Sequence, residues 1–410
     1  MGGTMKTRKL FQQNVYLKSV TATVSSVNYD SDNTIVTLDQ TVFFPEGGGQ
    51  SGDCGTLTKN GTVFPVIDTQ EGDTGEILHI ISGRTENLCP GDTVEAVLDW
   101  PHRFDNMQRH CGEHILSGAV YRLFGGANKG FHMGEDSITI DISFNGDSSS
   151  GAYEKMTWEM AEAAETEANR VIWQDLPVSV DRFDTREEAE KFPLRKTLTF
   201  DEDISIVTIG SEDNPADCVA CCGTHPARSG AVGLIKIYKI EPNKGMSRIY
   251  FEAGQRALTH YQNQFNTLYE LGNRMSAGYD DLLRKYDAQT AKNQQLHDRL
   301  SAFRTRILNA EQQRLAAEMR PGLISRYDDL SVDDLFNLGK KIGPVCQGVI
   351  ALVHEPSHTA ILLSNEKHCG RLVKAIAPQF SGKGGGSDSS ARAFFPDKEH
   401  LEAFLNAALL

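Results

Sequence analysis

A chain of 410 residues is too long for one ordinary core, so two to four domains are expected, and 39% hydrophobic with 23% charged residues excludes a disordered or membrane-spanning chain. The formal net charge of -14 excludes a protein that coats nucleic acid through bulk attraction to phosphate; any such contact must come from local basic patches. Eight cysteines, three of them almost adjacent at Cys218, Cys221 and Cys222, do not form a disulfide framework and fit metal or thiol chemistry better.

The start of the chain carries Lys6, Arg8 and Lys9 with no apolar segment after them, the pattern of a cytoplasmic protein. Alternating residues then predict short strands at 19–24, 34–38, 55–57, 64–67, 77–81 and 93–98, which close most naturally as a small antiparallel barrel over 1–100. The loop Pro45-Glu46-Gly47-Gly48-Gly49-Gln50 interrupts it, and its glycines imply backbone angles or a close approach that side chains would forbid. From Arg103 the pattern turns helical, through His110, His114, Ile115, Ala119 and Leu123 to a stop at Gly125-Gly126. A strand at 137–142, a polar turn at 145–151, a long helix at 156–173 and strands at 204–209, 233–240 and 247–252 complete a second domain, 101–255, of mixed α+β order.

Residues 255–320 contain no proline, and Leu268, Leu271, Met275, Tyr279, Leu282 and Tyr286, then Leu296, Leu300, Phe303 and Ile307, recur at three-and-four spacing. That spacing predicts a helical hairpin or coiled coil over 256–321, ended by Pro321. The last segment, 322–410, alternates helix (332–341, 369–377, 398–409) with strand (348–353, 360–364, 391–395) and reads as a small α/β domain. The whole is an α+β multidomain protein.

Chemistry concentrates in two pairs. His110 and His114 stand four apart on a helix, so both imidazoles leave one face and can bind one ion. Cys221-Cys222-Gly223-Thr224-His225 offers a thiolate and an imidazole at the same spacing, just after a strand. Together, His110, His114, Cys221 and His225 form a borderline-to-soft donor set that suits Zn2+ better than magnesium or calcium. The plain alternative is a pair of buried thiols and a surface histidine.

The run Phe43-Phe44-Pro45-Glu46-Gly47-Gly48-Gly49-Gln50 with Gly52-Asp53 and Gly55, then His110-x-x-x-His114, then Cys221-x-Gly223-Thr224-His225, resembles in content and order the editing domain of alanyl-tRNA synthetase and its free-standing AlaX relatives. Gly233-Leu234-Ile235-Lys236-Ile237 and Arg248-Ile249 with Glu252-Ala253-Gly254 are similar to the tail of that domain. Gly382-Lys383-Gly384-Gly385-Gly386-Ser387 is similar to the glycine signature of the synthetase's C-terminal, DHHA1-like domain. The resemblance spans nearly the whole chain and fits the long AlaX form.

What it implies is a hydrolase that removes serine, with glycine as the second candidate, from mischarged tRNA(Ala). The barrel begins within about twenty residues of Met1, leaving no room for an aminoacylation domain, so removal rather than attachment is expected. The resemblance makes His110, His114, Cys221 and His225 the zinc site, with Cys221 preferred by register over nearby Cys111 and Cys218. It places Gln50, Gly48 and Gly49 along the aminoacyl pocket and makes Thr41 the sensor of the seryl hydroxyl, against the plain reading of Thr41 as an ordinary strand threonine. Zinc could be catalytic or structural: with four protein ligands an open position requires expansion or a loose ligand.

Two rival readings remain. His110-Cys111-Gly112-Glu113-His114 fits the H-x-x-E-H pattern of inverted zinc peptidases, with Glu113 as base and a glutamate as third ligand. Alternatively the helical and C-terminal segments form an RNA-docking or homodimerisation module, the zinc being structural. Arg284, Lys285, Lys292, Arg299, Arg304 and Arg306 are interleaved with acids and read as a solvated face, whereas Lys367, Arg371, Lys374 and Lys383 form the better RNA-binding patch.

Overall fold

The computed structural model describes residues 6–30, 32–144, 154–199, 201–366 and 368–409. Six strands, β1 (Ser19–Asp30), β2 (Asn33–Leu38), β3 (Gly55–Lys59), β4 (Thr62–Glu71), β5 (Ile77–Ser82) and β6 (Thr93–Leu98), close into a barrel in the order β1-β2-β5-β4-β3-β6. Alternate residues, among them Val24, Val36, Leu38, Leu57, Val66, Ile81, Val94 and Ala96, fill its interior. Closure leaves no open edge, which a barrel of short strands needs in order to stay unaggregated.

His79 and Thr41 lie inside this barrel, both at 0% exposure. His79 Nδ1 faces the Val36 carbonyl at 3.0 Å and must carry the proton, so Nε2 accepts from the Thr41 hydroxyl at 2.8 Å. Burial pushes the His79 imidazole down to about 4, against a smaller upward pull from Val36 O. Because the unfolded chain binds the proton first, stability falls as pH drops from about 6.5 towards 4 and then levels off, a loss of about 2 kcal/mol at pH 5. Urea unfolding of wild type and His79→Gln at pH 7.5 and 5 checks this: the variant should lose less on acidification.

The chain leaves the barrel through α1 (Trp100–Phe124), capped by Asp99, whose carboxylate accepts the His102 N–H at 3.2 Å, started by Pro101 and ended by left-handed Gly125. Its Arg103 clamps the helix to the barrel. At 0% exposure, Arg103 donates through Nε to both Asp53 oxygens at 2.9 and 3.0 Å, through Nη2 to Asp53 again, and to the carbonyls of Val15 and Val42 at 3.1 and 2.9 Å.

Strands β7 (Ala127–Met133) and β8 (Ile138–Ser143), helix α2 (Trp158–Trp173), strands β9 (Val178–Phe183), β10 (Ile204–Ser211) and β11 (Asn214–Ala220), and the hairpin β12 (Ile235–Asn243) with β13 (Met246–Ala253) surround α1. They form a four-stranded sheet, β12-β13-β8-β7, and a three-stranded sheet, β9-β10-β11. The core joins Cys111, Ile115, Leu116, Ala119 and Val120 of α1 with Ile138, Ile140, Ile249 and Phe251 of the sheet and Ala161, Ala164 and Ala168 of α2. Strands β7, β9 and β11 are absent from the sequence-based expectation; each is short or carries polar residues that hide its alternation. The polar turn expected at 145–151 lies outside the described residues.

The contacts divide the chain into two compact units, Met1–Glu270 and Leu271–Leu410. Helix α3 (Gly254–Met275) and the long α4 (Leu282–Ala317) occupy the segment read as a hairpin or coiled coil. On α4, Leu283, Tyr286, Leu296, Leu300, Phe303 and Ile307 are exposed, while Arg284 and Arg304 pair with Asp281 and Asp334. In the second unit, β14 (Ile324–Tyr327), β15 (Val349–His354), β16 (Thr359–Ser364), β17 (Lys383–Gly386) and β18 (Ser390–Phe394) form one sheet in the order β14-β15-β16-β18-β17, with α5 (Val332–Ile342), α6 (Cys369–Ile376) and α7 (Lys398–Leu409). Most of the glycine run, Lys383–Gly386, is an edge strand held by pairing with β18. Among the described residues no helix is long and apolar enough to cross a membrane.

Candidate metal centre

The helical pair His110 and His114 meets the pair that follows β11, Cys221 and His225. One donor atom from each lies within 4.8 Å of the others, and the three histidines are buried while Cys221 is half-buried. The ring centroids of His225 stand 4.8 Å from His110 and 4.7 Å from His114, and Cys221 Sγ is 3.3 Å from His110 Nε2.

Each helical imidazole is held by its outer nitrogen. His110 Nδ1 donates to Gln50 Oε1 at 3.0 Å and His114 Nδ1 donates to Asp217 Oδ2 at 3.1 Å, which leaves both Nε2 atoms for an ion, the usual orienting arrangement of metal-bound histidines. Asp217 is in turn gripped by Arg195, at 2.5 and 3.2 Å. Both ring nitrogens of His225 are buried without any hydrogen-bond partner. Such an orphan costs on the order of 1–3 kcal/mol, and a cation at the centre of the cluster removes that cost. Three imidazoles and a thiol are a donor set that zinc accepts.

The electrostatics agree with an electron-rich centre. Burial would raise the Cys221 thiol, but the imidazoles of His110 and His114 more than reverse this and hold it well below its ordinary value. Burial alone would lower His114, yet Cys221 and Asp217 bring it up to about 10. Asp217, although buried, is drawn down to about 2 by Arg195 and His114. His225 is pushed down to about 4 by burial, so it presents a neutral lone pair.

The barrel loop reaches into this centre. Gln50 is at 0% exposure, and its Oε1 accepts from His110 and from the Thr224 N–H, each at 3.0 Å, while Nε2 donates to Thr224 Oγ1 at 2.8 Å. The amide of Gln50, expected along the aminoacyl pocket, orients a cluster histidine. Gly223 lets it do so: a Cβ there would stand 2.2 Å from His110 Cε1. We expect Gln50→Leu to weaken zinc affinity ten- to a hundredfold, measured by competition with a chelator, because His110 loses its orienting acceptor.

Gly48 and Gly49 take φ of +60° and +82° and pass between Cys222 and Phe131. The Thr41 hydroxyl donates to His79 and accepts the Phe43 N–H at 3.0 Å inside the barrel. Glu113 is buried; its Oε1 accepts from Ser117 and Asn128, both at 2.6 Å, and Oε2 stands 4.0 Å from His114 Nε2. The third and fourth donors are a thiol and an imidazole, so the inverted-peptidase reading, which needs a glutamate there, has no support from this cluster. In the second unit Arg371 and Lys374 are exposed on α6 and Lys383 on β17; Arg371 bonds His368 at 3.0 Å, and Lys367 lies outside the described residues. Asp217, Arg195 and Phe131 escaped sequence reasoning because none belongs to a spaced motif, and Thr224, inside the Cys221 to His225 motif, was given no role there; Asp217, four residues before Cys221, was within reach as an acid beside a ligand pair.

The profile of the family described as tRNA synthetases class II (A) matches residues 6–102, and that of the threonyl and alanyl tRNA synthetase second additional domain matches 204–250. The alanyl-tRNA editing protein AlaX-L of Pyrococcus horikoshii is 31% identical over 402 residues, covering 94% of this chain and 93% of that protein. The alanine–tRNA ligase of Methanothrix thermoacetophila is 29% identical over 98% of the chain, which spans 44% of the ligase, and that of Methanocorpusculum labreanum is 29% identical over 94% of the chain and 41% of its own length. With four clustered donors fed from two distant segments and a full-length likeness of this extent, the chain belongs to the AlaX family of alanyl-tRNA editing proteins.

Proposed function

We propose that the chain is an aminoacyl-tRNA deacylase that removes seryl and glycyl groups from mischarged tRNA(Ala), with zinc held by His110, His114, Cys221 and His225. The observation that carries this reading is the convergence of those four donors, with both His225 nitrogens buried and unpartnered, in a chain of the AlaX family. When bound by these four residues, zinc would supply Lewis-acid chemistry for ester hydrolysis. Gln50 and Asp217 keep His110 and His114 in the tautomer whose Nε2 faces the centre, and Gly48 and Gly49 let the barrel loop pass close to Cys222 and Phe131 beside it.

Discrimination explains why such a site exists. Serine exceeds alanine by one hydroxyl, and an apolar activation pocket rejects that near-isostere poorly, so a second, hydrolytic site is needed. Arg371, Lys374 and Lys383 are the residues we assign to tRNA backbone contact, since exposed cations on one small unit supply the local patch that a chain of net charge -14 otherwise lacks; Lys367 is added to them from the sequence alone. The test is deacylation of seryl, glycyl and alanyl forms of one tRNA(Ala), with and without prior chelation. Hydrolysis of the first two, sparing of the third and loss on chelation are expected; turnover of none would favour a docking module.

A further inference from the structure

We infer that Phe131 is the wall that limits the size of the aminoacyl group, a specificity-determining residue of the ester pocket; this rests on the deacylase reading above. The glycine loop gives the pocket no side chains. A Cβ added at Gly48 would stand 2.9 Å from Cys222 Sγ, and one at Gly49 would stand 2.6 Å from Phe131 Cδ1. The loop backbone is therefore packed closely against both side chains, Cys222 at Gly48 and Phe131 at Gly49. Of the two, the phenyl ring is much the larger.

Phe131 also lies directly on the cluster. Its ring is stacked on that of His110, with centroids 5.3 Å apart and planes at 30°. His110 is 1% exposed, His225 3% and Gln50 0%, whereas Phe131 is only half-buried, so the phenyl ring forms an outer layer over a proposed ligand. An ester carbonyl brought to the four donors must lay its acyl group beside that layer. The ring cannot easily yield: Phe131 is paired with Ile140 in the sheet and packs against the main core. A fixed aromatic wall discriminates by volume, and each methylene that does not fit costs roughly ten- to two-hundredfold in kcat/KM. Glycyl and seryl groups carry little beyond Cβ; threonyl and valyl groups add a branch that meets the ring.

The experiment compares wild type, Phe131→Ala and Phe131→Trp in kcat/KM for glycyl, seryl, threonyl and valyl esters of one tRNA(Ala), together with bound zinc per chain. Phe131→Ala should raise the threonyl and valyl rates at least tenfold relative to seryl. Phe131→Trp should depress seryl more than glycyl, and all three proteins should hold the same zinc. Loss of zinc from Phe131→Ala with an equal fall on every ester would show that the ring merely shields His110, and unchanged ester ratios in both variants would equally overturn the assignment while leaving the deacylase reading intact. If wild type hydrolyses none of the esters, that reading itself fails and takes this one with it.

Discussion

Cys221→Ala is expected to yield a folded protein that lacks stoichiometric zinc and hydrolyses the seryl ester at least a hundredfold more slowly than wild type. Cys221 is the single sulfur among the four donors, and it is the anion that offsets the imidazoles around it. Removing it leaves His110 Nε2 without its 3.3 Å partner and His225 still without one. Three neutral imidazoles bind the ion without the charge neutralisation that a thiolate supplies, so affinity falls steeply. Elemental analysis of the purified variant checks the metal, and the deacylation assay checks the rate. The fold should survive, because the core around α1 is built of apolar residues and includes none of the four donors. A variant that retained full zinc and full activity would remove Cys221 from the centre.

The second large effect lies away from the cluster. Asp53→Ala should destabilise the first unit by about 3–5 kcal/mol, the cost of breaking a buried ion pair and stranding one charge. Arg103 and Asp53 are both wholly inaccessible, and Asp53 also accepts the Phe44 N–H at 2.6 Å, just ahead of the glycine loop. The loss should appear in urea unfolding followed by the fluorescence of Trp100, whose helix the pair anchors. Because Gln50 precedes Asp53 closely in sequence and reaches His110, zinc affinity should fall as well, without any ligand having been changed. Asp53→Ala with unaltered stability would show that the carbonyls of Val15 and Val42 suffice to hold Arg103.

The barrel strands were legible because a two-residue alternation survives wherever one face is buried, as at Val36 and Leu38 or Val94 and Ala96. α1 was legible from its glycine stop and its apolar spacing, though its start was read at Arg103 rather than Trp100. The four candidate donors were legible as two pairs, since spacing along a helix or a turn is a local property. Polar strands such as β9 and β11 were not, because their pairing partners rather than their own residues decide that they are strands.

What the sequence by itself determined, then, was which donors could act together within each pair, and that the loop at 47–49 must run where side chains do not fit. Only the tertiary structure decided that the two pairs share one centre, that Gln50, 60 residues before His110, orients it, and that Asp217, 103 residues beyond His114, does the same on the other side. It also drew Thr41 away into the barrel and set Phe131 over the cluster. The physical reason is range: periodicity and spacing report on neighbours along the chain, whereas an acceptor for an imidazole proton is selected by packing between segments whose separation in sequence carries no signal.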